Sequence, residues 1–248
     1  MSKKCLNCGR EIDNNFCSTC GQKTSIHRFS SSHLVAHDFI HGVFHLDKGI
    51  LFTIKELFTR PGHSIREYIQ GKRVNHYNYF MLLFIIIALV HLMSSYYLVD
   101  SSVIYGGDRK ADFKGFDELY DKYGKGIILL TIPLMAIVTW IGFKKSKQNY
   151  IECVVSLIYM YCGLMILYLV NSLIALFYDN VIGLQIIYNS VSVMQSIYII
   201  FFLHQYYSIF YLNKKLLIIR SVIVTFLILL TQVFSNSIIQ YIGKVYYQ

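Results

Sequence analysis

Four cysteines near the N terminus form the pattern in this chain that is most typical of metal chemistry. Cys5 and Cys8 make one Cys-x-x-Cys-Gly motif, Cys17 and Cys20 make a second, and eight residues separate Cys8 from Cys17. Each close pair can hold an ion from a single turn, and four thiolates complete a tetrahedral shell with no open position. We therefore predict a zinc ribbon with one structural ion. So short a segment cannot bury a stable core, and the metal would supply its folding energy.

The four cysteines leave other uses open. Disulfides are disfavoured because the segment is expected in the reducing cytoplasm, and iron binding or redox use is less typical of this pattern. A zinc ribbon can have a purely structural role, or it can be a docking module for a partner protein.

A second candidate site is a stripe of histidines. His33, His37, His41 and His45 recur every four residues, which places them on one side of a predicted amphipathic helix. Histidines at this spacing can share a metal, as in zinc proteases, so a second polar or metal site would comprise His37, His41, His45 and Asp47. The stripe lacks the glutamate of those enzymes, which favours a polar surface facing water or lipid head groups. A pH-responsive surface is a further alternative.

Two more segments position these residues near a membrane. Residues 50–59 have helical spacing of apolar residues, and the helix should end before Arg60-Pro61-Gly62 because proline disfavours helical geometry in the preceding residue. Ser64-x-x-Glu67 has the form of a capping box and predicts that a new helix starts there and ends near Gly71. The basic residues of this region are predicted to attract anionic lipid head groups at the interface: Arg60, Arg66, Lys72 and Arg73.

Composition assigns the rest of the chain to a membrane. The 248 residues are 55% hydrophobic and include only two prolines, which is too apolar for an ordinary soluble domain. We predict an all-α polytopic membrane protein with a zinc ribbon at residues 1–24, an amphipathic juxtamembrane region at 25–78 and a transmembrane bundle at 79–248. About five apolar stretches are long enough to cross a bilayer: residues 79–99, 126–143, 151–177, 181–206 and 216–242.

Charge predicts the orientation of the bundle. We expect no cleavable signal peptide, and a cytoplasmic N terminus places 16 of the 23 lysines and arginines inside, in accordance with the positive-inside rule. Five crossings then leave the C terminus outside. The net charge of +9 is explained by this cytoplasmic face, so no nucleic-acid partner is expected.

Polar residues within the predicted spans are candidates for packing or for a ligand pathway. They are His91, Asn171, Asn189 and Gln195. Amides in membrane helices most often bridge helices. The lack of an acidic residue in mid-membrane argues against a proton- or cation-coupled pump.

Three short motifs carry a resemblance to a known family. Residues 44–49 read Phe-His-Leu-Asp-Lys-Gly, residues 60–62 read Arg-Pro-Gly, and residues 68–73 read Tyr-Ile-Gln-Gly-Lys-Arg. Placed between twin Cys-x-x-Cys-Gly motifs and a helix bundle, they resemble a family of bacterial membrane proteins known only as a domain of unknown function. The resemblance covers residues 1 to about 95 and implies a multi-pass protein of the bacterial inner membrane without implying a reaction.

These patterns favour a non-enzymatic function. The leading hypothesis is a membrane adaptor or scaffold whose zinc ribbon recruits a cytoplasmic protein, with the lipid bilayer as its other partner and oligomers allowed. The alternatives are a small-solute or lipid transporter regulated by the ribbon, and a membrane-bound metalloenzyme that uses the histidine stripe.

Overall fold

The computed structural model describes residues 3–12, 14–25, 28–29, 49–94, 96–99 and 130–246. Most of this part is helical, and a small antiparallel sheet lies near its N terminus. The predicted histidine-bearing helix lies outside the described residues.

The N-terminal head, residues 3–12 and 14–25, contains little regular structure. Strand β1 (Lys3–Lys4) pairs antiparallel with β2 (Glu11–Ile12), and an isolated bridge joins Phe16 to Lys23. A two-stranded ribbon is at best marginally stable in water by itself. The head therefore depends on its cysteines and on its contacts with the rest of the protein.

Two short helices follow, and they lie where the proline predicted a break. Helix α1 (Gly49–Thr59) ends immediately before Arg60, as predicted, and α2 (Pro61–Ile69) begins at the proline. Proline suits the first turn of a helix because its missing N–H would have no intrahelical partner there. The prediction that α2 starts with a capping box at Ser64 is wrong. Ser64 already lies inside α2, and its N–H donates to the carbonyl of Arg60.

Five apolar helices follow in the part of the chain that the structure describes. They are α3 (Tyr79–Ser94), α4 (Leu130–Gly142), α5 (Tyr150–Ala175), α6 (Val181–Tyr207) and α7 (Lys214–Tyr246). Their bounds lie close to those predicted, except that α3 ends before residue 99. A short 3₁₀ turn, Lys144–Ser146, connects α4 towards α5.

Three of these helices are long and apolar enough to cross a membrane: α5, α6 and the Lys214–Ile239 part of α7. Helix α5 lies at the centre and packs against α2, α3 and α6, with Val155, Tyr159 and Cys162 fully buried. The outer helices α6 and α7 instead expose large apolar side chains along their length, including Ile197 and Phe226. Such broad apolar surfaces suit a lipid environment, and the chain is therefore a membrane protein.

The head and several helix ends gather at one end of the bundle, which we call the head end. Arg28 donates to the carbonyl of Lys147 just before α5, and Arg66 of α2 donates to carbonyls at the C-terminal end of α6. Arg220, in the first turns of α7, donates to the carbonyl of Gly142 at the end of α4. The lysines at 144, 145, 147, 214 and 215 consequently lie at this same end.

Candidate functional site

The four cysteines of the head converge on a single point. Their sulfur atoms all lie within 4.8 Å of one another, and the sulfurs of Cys5 and Cys20, and of Cys8 and Cys17, are each 3.6 Å apart. A disulfide would require about 2.05 Å, and all four cysteines are free. Zinc–sulfur bonds of about 2.3 Å in a tetrahedron place the sulfurs about 3.8 Å apart. The four thiols therefore fit a tetrahedral metal ion.

Two matching turns present these sulfurs. The N–H of Gly9 donates to the carbonyl of Cys5, and the N–H of Gly21 donates to the carbonyl of Cys17. Both glycines have a positive φ, 76° and 73°, which a residue with a Cβ adopts only with strain. Backbone N–H groups lower the pKa of Cys17 to about 6 and also lower the pKa of Cys5. Desolvation and the neighbouring thiols raise the pKa of Cys8 to about 11. Cys5 and Cys17 thus favour the thiolate, the form that binds metals.

The second cysteine turn is joined directly to the body of the protein. The backbone N–H of Cys17 donates to the carbonyl of Gln22, whose side-chain Oε1 accepts a 3.1 Å hydrogen bond from the N–H of Arg73. Phe29 is buried, and the guanidinium of Arg73 lies 4.0 Å above its ring. The Phe29 ring also packs against Tyr68 of α2. The head is thus held by contacts that start at the cysteine turn itself.

An ion pair makes a second attachment. Arg28 Nε lies 2.5 Å from Oε1 of Glu152, and its Nη2 lies 2.9 Å from Oε2. Glu152 is buried and forms a capping box with Asn149 at the start of α5. Asn149 in turn donates its Nδ2–H to the carbonyl of Phe29. Glu152 therefore stabilises both the start of a membrane helix and the position of the head.

Arg66, predicted at the lipid interface, is buried against the C-terminal end of α6. Its Nη1 donates to the carbonyls of Gln205 and Tyr206 at 2.8 Å and approaches Ser208 Oγ at 3.3 Å, while Nη2 lies 2.8 Å from His63 Nδ1. A cation at this end complements the helix dipole. Burial lowers the pKa of Arg66.

The other three predicted interface cations have partners in the protein. Arg60 pairs with Glu56 and Glu67, and Lys72 pairs with Glu67. Arg73 lies over Phe29, as described above. These contacts locate the basic residues at the head end and give them structural roles besides any attraction for lipid.

The glycine of the Arg-Pro-Gly motif lies against the backbone of α6, where a side chain would not fit. A Cβ added at Gly62 would lie 2.2 Å from the backbone nitrogen of Tyr206 and 2.5 Å from the carbonyl oxygen of Phe202. The Gly62 N–H also donates to the side chain of Gln205. The absence of a side chain at Gly62 is what lets α2 touch the backbone of α6.

His76 was not among the predicted site residues. Its Nε2 lies 2.8 Å from Ser64 Oγ, and its ring packs against Phe52 and Tyr68. Desolvation lowers the pKa of His76 to about 4, so this imidazole is neutral at pH 7. Its position between α1 and α2 makes it part of the packing of the two helices.

The helices α1 and α2, the turn that follows them and most of α3 thus form one continuous packed segment. Residues 47–90 match the family model described as protein of unknown function (DUF3667). This DUF3667 segment contains Gly62, Arg66, Arg73 and His76, and the match confirms the predicted resemblance to an uncharacterised family. No curated protein and no solved structure matches the chain.

The predicted polar residues of the spans lie in different surroundings. Gln195 of α6 donates to the carbonyl of Leu164 in α5 and so joins two helices. Asn171 is buried, whereas Asn189 is exposed, as is His91, one residue beyond the DUF3667 segment. The residues of the second predicted metal site, His37, His41, His45 and Asp47, lie outside the described residues. That site stays a prediction.

Proposed function

We propose that the protein is a scaffold of the bacterial inner membrane whose zinc-bound head docks a cytoplasmic protein. The observation that carries this proposal is the two-sided character of the head. One side is attached to the DUF3667 segment and to α5 through Gln22, Arg28 and Phe29. The other side exposes Phe16, more than half of whose surface is accessible.

Zinc is the metal that the ligand set favours. Four thiolates in tetrahedral arrangement suit Zn²⁺, and they leave no open position for a substrate or a water. The ion would therefore act structurally, by holding the exposed surface of the head in one shape.

The charge of the exposed surface suggests the chemistry of the partner. Lys4, Arg10 and Lys23 are exposed on the head, along with the single acidic residue Glu11 among its described residues. An apolar side chain surrounded mostly by cations fits a protein segment with an apolar anchor and acidic neighbours.

Five crossings with a cytoplasmic head are the topology that fits this function. The lysine-bearing turns lie at the head end, where the positive-inside rule places the cytoplasm. Helix α3 has 16 residues and spans about 24 Å, so it would cross with local thinning of the bilayer or with the help of adjoining residues. The C terminus then lies outside.

Crosslinking from the head in cells tests the docking function. We expect wild-type protein to crosslink to a cytoplasmic partner, and Phe16→Ser to lose the crosslink because its apolar anchor is gone. Leu51→Ser is the matched control, because Leu51 is also exposed at the head end but belongs to α1. Equal crosslinking by wild type and Phe16→Ser would contradict the proposal.

A further inference from the structure

A cavity of about 320 Å³ lies between the head and the body. Its polar wall comes from Arg28 beside the head, Arg66 of α2, and Gln148 and Glu152 at the start of α5. Leu6 of the head and Phe210 beyond α6 add apolar surface. The volume is at the small end of the range for ligand pockets.

The cavity carries a net positive charge. Its charged lining residues are Arg28, Arg66 and Glu152, and Arg28 is neutralised by Glu152. The hydrogen bonds of Arg66 within the described residues go to neutral acceptors. Glu67 attracts Arg66 but also pairs with Arg60 and Lys72, so it offsets the charge of Arg66 only in part. An anion in the cavity would therefore be favoured.

Gln148 lies beside these charged groups in the lining of the cavity. Its Nε2 donates to the hydroxyl of Tyr206, and its Oε1 is enclosed by protein atoms and accepts no hydrogen bond from the described residues. The positive charge of the arginines is therefore the feature that selects the ligand.

We propose that this cavity binds a phosphate group, such as that of a glycerol phosphate. The N–H groups of Arg28 and Arg66 donate to the phosphate oxygens, a pairing for which planar guanidinium groups are suited. The same chemistry occurs in a phospholipid head group and in a soluble phosphate ester.

The cavity lies at the depth where a lipid head group would reach it. It is bordered by the start of α5 and by residues just beyond the end of α6, two helices long enough to cross a membrane. Apolar spans end at the head-group region. A phosphatidylglycerol head group could enter there from the bilayer, and glycerol 3-phosphate could enter from water.

The only tryptophan of the chain provides a reporter for binding. Trp140 Nε1 donates to the backbone carbonyl of Gln148 at 3.1 Å, so a ligand that contacts Gln148 should change the tryptophan emission. We would titrate full-length protein in detergent with short-chain phosphatidylglycerol, with short-chain phosphatidylcholine and with glycerol 3-phosphate. If only phosphatidylglycerol saturates the change in tryptophan emission, the ligand is a lipid head group. If glycerol 3-phosphate saturates it as well, the ligand is a soluble phosphate ester.

Two matched variants decide the proposal. Arg28→Gln removes a donor and leaves Glu152 to repel the phosphate, so affinity should fall about 10- to 100-fold. Lys145→Gln also removes a cation at the head end, but one that is exposed and does not line the cavity, and should leave affinity unchanged. The proposal is overturned if neither phosphate ligand saturates the signal, if phosphatidylcholine binds equally well, or if the two variants behave alike.

Discussion

The guanidinium of Arg28 forms two hydrogen bonds with the carboxylate of Glu152, 124 residues further along the chain. The pair joins a residue just after the head to the start of a membrane helix. It adds to the contacts of Gln22 and Phe29, so the head is attached to the bundle at more than one point.

Arg28→Gln should loosen the head without unfolding the bundle. The Arg28 side chain is 62% exposed, so solvent weakens the pair and its loss should cost about 1 kcal/mol. We expect faster proteolysis within residues 1–31 and little change in the thermal unfolding of the bundle. Lys145→Gln removes an exposed cation of the same end and should not alter the proteolysis rate. Equal rates for both variants would contradict the attachment.

Gly62→Ala should strongly destabilise the protein. The new Cβ would collide with backbone atoms of Tyr206 and Phe202, and separating α2 from α6 should cost about 3 kcal/mol. Gly183→Ala is a suitable control, because the three atoms nearest to its new Cβ all belong to the side chain of Tyr178, which can rotate. Thermal unfolding in detergent measures both. An unfolding temperature for Gly62→Ala equal to that of the control would contradict the close packing.

Acid should destabilise the contact between α1 and α2 through His76. Its folded pKa is about 4, whereas an unfolded histidine has a pKa of about 6.5. The unfolded state therefore binds more protons between these values. The stability that the protein gains by burying neutral His76 is complete above pH 6.5. It is lost as the pH falls towards 4, and the loss in the free energy of unfolding is up to about 3 kcal/mol.

His76→Gln is the variant that isolates this effect. Its unfolding temperature should depend less on pH between 6.5 and 4 than that of wild type. Burial also lowers the pKa of His63, so part of the wild-type slope should remain in the variant. Identical slopes would show that His76 does not carry the effect.

Metal content should equal one zinc ion per chain. The four sulfurs make one closed site, so Cys17→Ser should lose the ion. His41→Ala should retain it, because the scaffold function needs no metal at the histidine stripe. Elemental analysis of purified protein provides the measurement. A second ion that disappears in His41→Ala would favour the metalloenzyme alternative.

Much of the fold was predictable because its determinants are local. The cysteine spacing predicted the four-sulfur cluster, the apolar stretches predicted the helices of the body, and Arg60-Pro61 predicted the end of α1. The start of α2 was misplaced because Ser64 and Glu67 match a capping box, while the proline at Pro61 is itself a favourable first residue.

The contacts that position the head were not predictable in this way. Arg28 lies in a short polar segment and Glu152 near the end of a predicted span, and no periodicity relates the two. Arg66 resembles any basic residue beside a membrane, and only the packing of α2 on α6 buries it. Contacts between distant parts of the chain depend on how the helices pack, and local patterns in the amino-acid sequence do not reveal that packing.

The amide of Arg73 gives the most direct test of the claim that the metal site and the membrane body form one unit. Its N–H donates to the side chain of Gln22, and the backbone carbonyl of Gln22 accepts a hydrogen bond from the N–H of Cys17, one of the four clustered cysteines. We predict that hydrogen exchange at Arg73 is slow in the metal-loaded protein and becomes much faster when a chelator removes the metal. An exchange rate at Arg73 that is the same with and without metal would contradict the account.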